Sequence, residues 1–195
     1  MTAWMVSVLG FSMALFCILP RRWSERWPLL LGTSLTVLLL VPVWQGNSLS
    51  DLLRGALGDF SITSLVLLSM ASVSRLGVPS PLTDRQRVIG GLLVVAVAVP
   101  FYASTLGLTL VDPYRWGFGE TLLLPVAALA LLMVGLRCWW AVILLCSAVL
   151  LWSFGALLES RNLWDYLLDA MLVFYVLGAF LIGAVRQLMK LARSG

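Results

Sequence analysis

An all-α, polytopic integral membrane protein, about seven transmembrane helices in one bundle, is the fold class this sequence predicts. Three observations carry the expectation. Of 195 residues only 11% are charged and 61% are hydrophobic, where a soluble domain carries about 25% charged residues. The apolar residues are gathered into runs of roughly 17–22 residues, the length that crosses a bilayer. The charges between the runs alternate in sign bias from loop to loop, as they do in polytopic proteins.

The first predicted span is about residues 3–19. No Lys or Arg precedes it and PRRWSERW follows it, so it is expected to be a membrane helix rather than a signal peptide. The second is about 28–44, with Pro28 in its first turn, where the missing amide costs nothing. SLSDLLRGALGDF follows. Ser48 with Asp51 three residues on resembles a capping box. Leu49, Leu52, Leu53, Ala56 and Leu57 recur at helical spacing, which predicts a short interfacial helix near residues 49–57. Gly58 is expected to stop it and Asp59 to cap the next helix.

The third span is about 60–74, short unless Arg75 snorkels from its far end. Ser61, Ser64, Ser69 and Ser72 fall on one face, a small-residue packing seam. The fourth, about 88–108, contains Pro100, which removes a backbone hydrogen bond and is expected to kink the helix. Asp112-Pro113 opens a turn. The fifth and sixth spans are about 121–136 and 139–157, joined by a tight turn at Arg137. The seventh is about 164–185.

Sorting the loops by side separates the charges. Arg21, Arg22, Arg26, Arg75, Arg85, Arg87, Arg137, Arg186, Lys190 and Arg193 share one side with only Glu25 and Asp84. Arg54, Arg115 and Arg161 share the other with Asp51, Asp59, Asp112, Glu120, Glu159, Asp165 and Asp169. The Lys/Arg bias makes the first side cytoplasmic. The expected location is a bacterial inner membrane, multi-pass, with a periplasmic N-terminus and a cytoplasmic C-terminus. Tryptophans fall near both ends of the runs, as an aromatic belt would place them.

His is absent, which removes the usual general base and the commonest metal and haem ligand. Cys17, Cys138 and Cys146 form no CxxC and read as small apolar fillers. No metal site, cofactor or nucleic-acid partner is expected; the expected surroundings are the lipid bilayer and a membrane protein partner.

The candidate site is a polar rim. Each outer loop carries one Arg bracketed by carboxylates: Asp51, Arg54 and Asp59; Asp112, Arg115 and Glu120; Glu159, Arg161, Asp165 and Asp169. Asn162 is expected to cap the last helix with Asp165 at its third position. Asp165 and Asp169 are four apart and would share a face. Asp169 lies five or six residues into the predicted span, where an unpaired carboxylate is costly; Arg161, Arg115 or a Tyr hydroxyl is the expected partner.

Three function classes follow. The first is a non-catalytic subunit or accessory protein of a cell-envelope enzyme or transport complex, which suits the small size and the missing imidazole. The second is an outward-facing enzyme acting on a lipid or lipid-linked sugar phosphate or glycan, with carboxylates as bases and Arg holding phosphate. The third is a proton-coupled transporter using Asp59 or Asp169.

Overall fold

The structure, a computed structural model, describes residues 2–155 and 157–194. The side chain of Arg193, assigned above to the basic side, lies outside the described residues. The architecture is all-helical apart from one small hairpin. In order it comprises α1 (Thr2–Ile18), α2 (Arg21–Arg26), α3 (Pro28–Leu40), strands β1 (Pro42–Trp44) and β2 (Asn47–Ser48), α4 (Leu49–Leu57), α5 (Ile62–Arg75), and α6 (Asp84–Thr105). Two 3₁₀ turns, Tyr114–Phe118 and Glu120–Leu122, lead into α7 (Leu123–Gly135), and α8 (Trp139–Phe154), α9 (Leu163–Leu167) and α10 (Ala170–Ser194) complete the chain.

Seven of these helices correspond to the seven apolar runs, and they run in alternate directions. Ser7, early in α1, meets Asp59 just before α5, while the Arg75 guanidinium at the end of α5 donates to the Leu19 carbonyl just past α1. The two helices are therefore parallel, with α3 antiparallel beside α1, where the Ser12 and Thr36 hydroxyls lie 3.1 Å apart. At the far end the Trp140 indole, opening α8, donates to the Pro81 carbonyl before α6. The adjacency runs α3, α1, α5, α8, α7, with α10 paired against α6. The carboxylate-bearing loops gather at one end of the bundle and the arginine-rich loops at the other.

Hydroxyls inside the apolar helices are satisfied locally. Ser12, Thr33, Thr36 and Ser69 each donate to the carbonyl four residues earlier, which satisfies the hydroxyl proton within the helix itself. The serine seam joins α5 to α1, with Ser72 Oγ 3.5 Å from Cys17 Sγ. At the carboxylate end the Phe60 ring occupies the space that a Cβ on Gly10 would need, so this crossing requires glycine.

Helix length is where the structure departs from the expectation. Two helices, α6 and α10, are long and apolar enough to cross a membrane, with mean hydropathies of 2.0 and 1.8. The other five run 13 to 17 residues, which at 1.5 Å per residue is about 20–26 Å against a hydrocarbon core of about 30 Å. Three local causes shorten or divide the predicted spans. The second ends at Leu40 because Val41 turns extended and the chain enters the β1–β2 hairpin, whose two-residue turn places Gln45 and Gly46 at positive φ. The third starts at Ile62 because Ser61, not Asp59, is its N-cap; the Ser61 hydroxyl accepts the Ser64 amide. The seventh is two helices, because Leu168 is extended (φ −143°, ψ 136°) and separates α9 from α10. Pro100 lies inside α6, which continues through it to Thr105.

Candidate functional site: the polar rim

α4 sits across the carboxylate end of α1 and α3, and it forms as its sequence dictates. The Ser48 hydroxyl accepts the Asp51 amide at 3.3 Å, and the Ser48 amide donates to Asp51 Oδ2 at 2.8 Å. The bonds from Ser48, its hydroxyl first and then its amide, hold the Asp51 carboxyl below its usual range. Gly58, at φ 82°, stops the helix, with its amide returning to the Arg54 carbonyl. Leu49, Leu53 and Leu57 pack on the cluster of Phe11, Leu39 and Phe60. That packing turns Arg54 toward the rim.

Arg54 joins two of the three loops. Its Nε and Nη2 donate to the two oxygens of Asp59 at 2.5 and 3.0 Å, and Nη2 lies 3.2 Å from Glu159 Oε1. The hydrogen bonds to Asp59, more than those to Glu159, raise the guanidinium further above its ordinary value against the cost of burial. Asp59 also accepts the Ser7 hydroxyl at 2.9 Å. This residue therefore ties α1 to α4 and does not cap α5.

Asp169 corrects the expectation most sharply. It is not inside a span, because the helix is broken at Leu168. It is the residue just before α10, and its Oδ1 accepts the Leu172 amide at 2.8 Å. Its Oδ2 accepts the Ser61 amide, also at 2.8 Å. Neither Arg161, Arg115 nor a Tyr hydroxyl meets it. One carboxylate, 7% exposed, thus closes the N-termini of two helices 108 residues apart in sequence. Both termini carry partial positive charge from their aligned peptides, which suits a buried anion that makes no ion pair among the described residues.

Asp165 is likewise not in a capping box. Asn162 does cap α9, accepting the Trp164 amide at 3.0 Å, but the Asp165 carboxylate accepts the Tyr114 hydroxyl at 3.1 Å. Because of the break at Leu168, Asp165 and Asp169 lie on different helices and share no face. Burial first, and the Asp165 charge second, push the Tyr114 phenol up.

The second and third loops meet through main-chain acceptors. Asn162 Nδ2 donates to the Tyr114 carbonyl at 2.9 Å, and the Trp164 indole donates to the Pro113 carbonyl at 2.8 Å. Gly117 lies against Asn162, whose Oδ1 occupies the place a Cβ would take. Phe101, Tyr114 and Trp164 stack beneath, with the Phe101 and Trp164 centroids 4.5 Å apart. Sequence reasoning missed Tyr114, Asn162 and Gly117 as the joint between these loops; the aromatic, Gly-containing composition of residues 109–120 was its signal.

The remaining candidates stay outside this network. Asp112 accepts the Tyr114 amide in the turn before it. Arg115, Glu120 and Arg161 are exposed and make no ion pair among the described residues. The rim thus draws Arg54, Asp59 and Glu159 into one group and Tyr114 and Asp165 into another, with Asp169 apart from both. No three His, Cys, Asp or Glu side chains converge on a metal position among the described residues. Two surface hollows, of about 370 and 310 Å³, lie away from the rim, along α3 at Thr33–Val41 and beside the end of α5 at Ser69–Pro81.

No protein-family model matches this chain, and neither a curated protein nor a solved structure is significantly similar to it.

Proposed function

We propose that this chain is a seven-span membrane protein of the bacterial inner membrane that acts as a non-catalytic subunit or accessory protein of an envelope complex. The basic end faces the cytoplasm and the carboxylate rim faces the periplasm. Support for membrane embedding comes from the surface of the two long helices. Only 11% of the residues in their apolar windows are buried, whereas an apolar helix in a soluble protein is a core helix. The five shorter helices reach the bilayer surfaces through interfacial residues, Trp23 and Trp27 at one end and Trp44 and Trp116 at the other, all exposed, and through local thinning of the lipid.

The observation that carries the accessory role is how the rim spends its charge. Asp169 is satisfied by the Ser61 and Leu172 amides, Asp59 by Arg54 and Ser7, and Asp165 by Tyr114. A general base or a proton carrier needs a carboxylate that meets substrate or changes partner. These three instead fasten helix ends, which builds a rigid platform for another membrane protein. The exposed Asp112, Arg115, Glu120 and Arg161 are the polar groups left for such a partner to meet.

The experiment is purification of the tagged chain in mild detergent from its native cells, after cross-linking. A stoichiometric membrane partner is expected, and Arg115→Glu with Arg161→Glu should release it while leaving yield intact. A lone monomer at every concentration, with activity of its own on a lipid-linked substrate, would overturn the reading in favour of the enzyme alternative.

A further inference from the structure

At the carboxylate end α6 rises past the rim. The Phe101 ring packs against those of Tyr114 and Trp164, so these rim residues stand level with Phe101. α6 continues for four residues more, to Thr105, which is about 6 Å. The chain then makes an apolar loop, Leu106–Val111, before Asp112 leads it back to the rim. Gly107, at φ 78°, ends the helix. Its amide returns to the Ser104 carbonyl and the Leu108 amide to the Ala103 carbonyl, both at 3.0 Å. The apolar residue after such a glycine often packs back on the last turn. Here Ala103 offers too little side chain to cover it, and Leu108 stays 76% exposed. Thr109, the one polar side chain of the loop, turns inward; its hydroxyl lies 3.0 Å from Ser104 Oγ and 3.1 Å from the Val111 carbonyl. Leu106, Leu108, Leu110 and Val111 are left facing outward, with Leu110 as open as in an extended peptide.

Two observations say what covers these leucines. The first is direction. At the helical spacing Leu106 falls within about 40° of Val88, Leu92 and Val99. All four are at least half exposed, on the side away from Ala98 and Phe101, which are buried with Leu168, Leu172 and Val176. The loop thus begins where the outward apolar stripe of α6 leaves off. The second is length. No charge lies between Arg87 and Asp112. The helix from Val88 to Thr105 is about 27 Å long, and a hydrocarbon core is about 30 Å thick. Measured from Arg87, the outer boundary of an unthinned bilayer therefore falls at the loop. Main chain outside a helix is costly within hydrocarbon, but at the boundary it meets wet headgroups. A protein partner would require neither the continuous stripe nor the match in length.

We infer that Leu106–Val111 is an outer-leaflet anchor, whose leucines enter the acyl region of a lipid bilayer and hold the membrane at full thickness beside α6. The rim at Tyr114 and Trp164, about one turn lower, then lies where the lipid slopes down toward the shorter helices. Trp116 and Phe118, both exposed, follow on the returning chain, at a level where aromatic side chains favour the interface. The inference rests on the membrane reading above and extends it to the height of the lipid at one helix.

The test is spin labelling of the full chain in phosphatidylcholine nanodiscs. The background carries Cys17→Ala, Cys138→Ala and Cys146→Ala, which removes the native thiols. Labels are placed singly by Leu108→Cys, Leu110→Cys, Leu92→Cys in mid-helix and Arg161→Cys on the rim. Oxygen, which concentrates in lipid, is compared with a nickel chelate, which stays in water. Oxygen collisions should dominate at Leu108 and Leu110, as at Leu92, and nickel collisions at Arg161. Nickel dominance at Leu108 and Leu110 would overturn the inference, and so would shielding from both agents, which marks contact with a second copy. Nickel dominance at Leu92 as well would overturn the membrane reading itself. If the cysteine-free chain does not fold, a benzophenone side chain in place of Leu110 in the native chain replaces the label. Irradiation in the same nanodiscs must then yield a lipid adduct; a chain-to-chain adduct, or none, overturns the anchor.

Discussion

The Asp169 carboxylate accepts the main-chain amide of Ser61 at 2.8 Å and, with its other oxygen, the amide of Leu172. It joins the starts of α5 and α10 and so fixes where two long-separated parts of the chain meet. A buried carboxylate without a cation looks costly, but two helix N-termini supply both the donors and the favourable field.

Asp169→Ala leaves the Ser61 and Leu172 amides unpaired in a buried site. Each such orphan costs about 1–3 kcal/mol, so the variant should unfold at lower temperature in detergent and accumulate poorly. Asp169→Ser should recover part of that loss, because serine caps the α10 terminus but is too short to reach Ser61. Thermal unfolding of the three proteins checks the order: wild type, then Ser, then Ala.

Arg54 should couple strongly to Asp59 and weakly to Glu159. The side chains of Arg54 and Asp59 are 24% and 25% exposed, while that of Glu159 is 70% exposed. A double-mutant cycle with alanine should give about 1.5–3 kcal/mol for the first pair and about 0.2–1 kcal/mol for the second. Equal couplings would mean that the two carboxylates share the guanidinium evenly.

Gly117→Ala should destabilise the rim by about 1–3 kcal/mol, because the new methyl falls on the Asn162 side chain, which has no room to withdraw. Loss of near-ultraviolet aromatic signal from Trp164 and Tyr114 would accompany it. A neutral outcome would show that the loops at Gly117 and Asn162 are not in contact.

The pH dependence has two arms. Asp51 is held below its ordinary value, so its contribution is present above the unfolded-state value near 3.8 and is lost as pH falls through the folded value. Tyr114 is held above its ordinary value of 10.0. Its contribution is therefore full below pH 10 and is lost as pH rises through the folded value. Ser48→Ala should weaken the acid arm by removing the hydroxyl bond to Asp51, and Tyr114→Phe should remove the Tyr114 share of the alkaline arm, each measured by unfolding across pH.

Much of this fold is legible in the sequence because its signals are local. The seven apolar runs, the Ser48–Asp51 capping box, the Asp112-Pro113 turn and the Asn162 cap each depend on residues within a few positions of one another. What is not legible depends on distant chain. Asp59 and Ser61 are both capping types, and Ser61 takes the role because Arg54 and Ser7 engage Asp59. The break at Leu168 is concealed by the apolar run around it. Its one local sign is Asp169 itself, since an aspartate directly before a long apolar helix is a cap as readily as an intramembrane charge. The hairpin at Pro42–Ser48 was signalled by Gly46 but was overridden by the apolar residues leading to Trp44. Charge sorting did not show that Arg54 would bind two loops while Arg115 and Arg161 stayed outside.

The central claim is that Asp169 is a staple between two helix starts, and amide hydrogen exchange tests it most directly. In detergent-solubilised protein the Ser61 and Leu172 amides should both be protected. In Asp169→Ser, exchange at Ser61 should accelerate while Leu172 stays protected, because serine keeps the local cap and loses the long-range bond. If Ser61 exchanges at the same rate in both proteins, the carboxylate does not hold α5 to α10, and the structural reading of the rim is wrong.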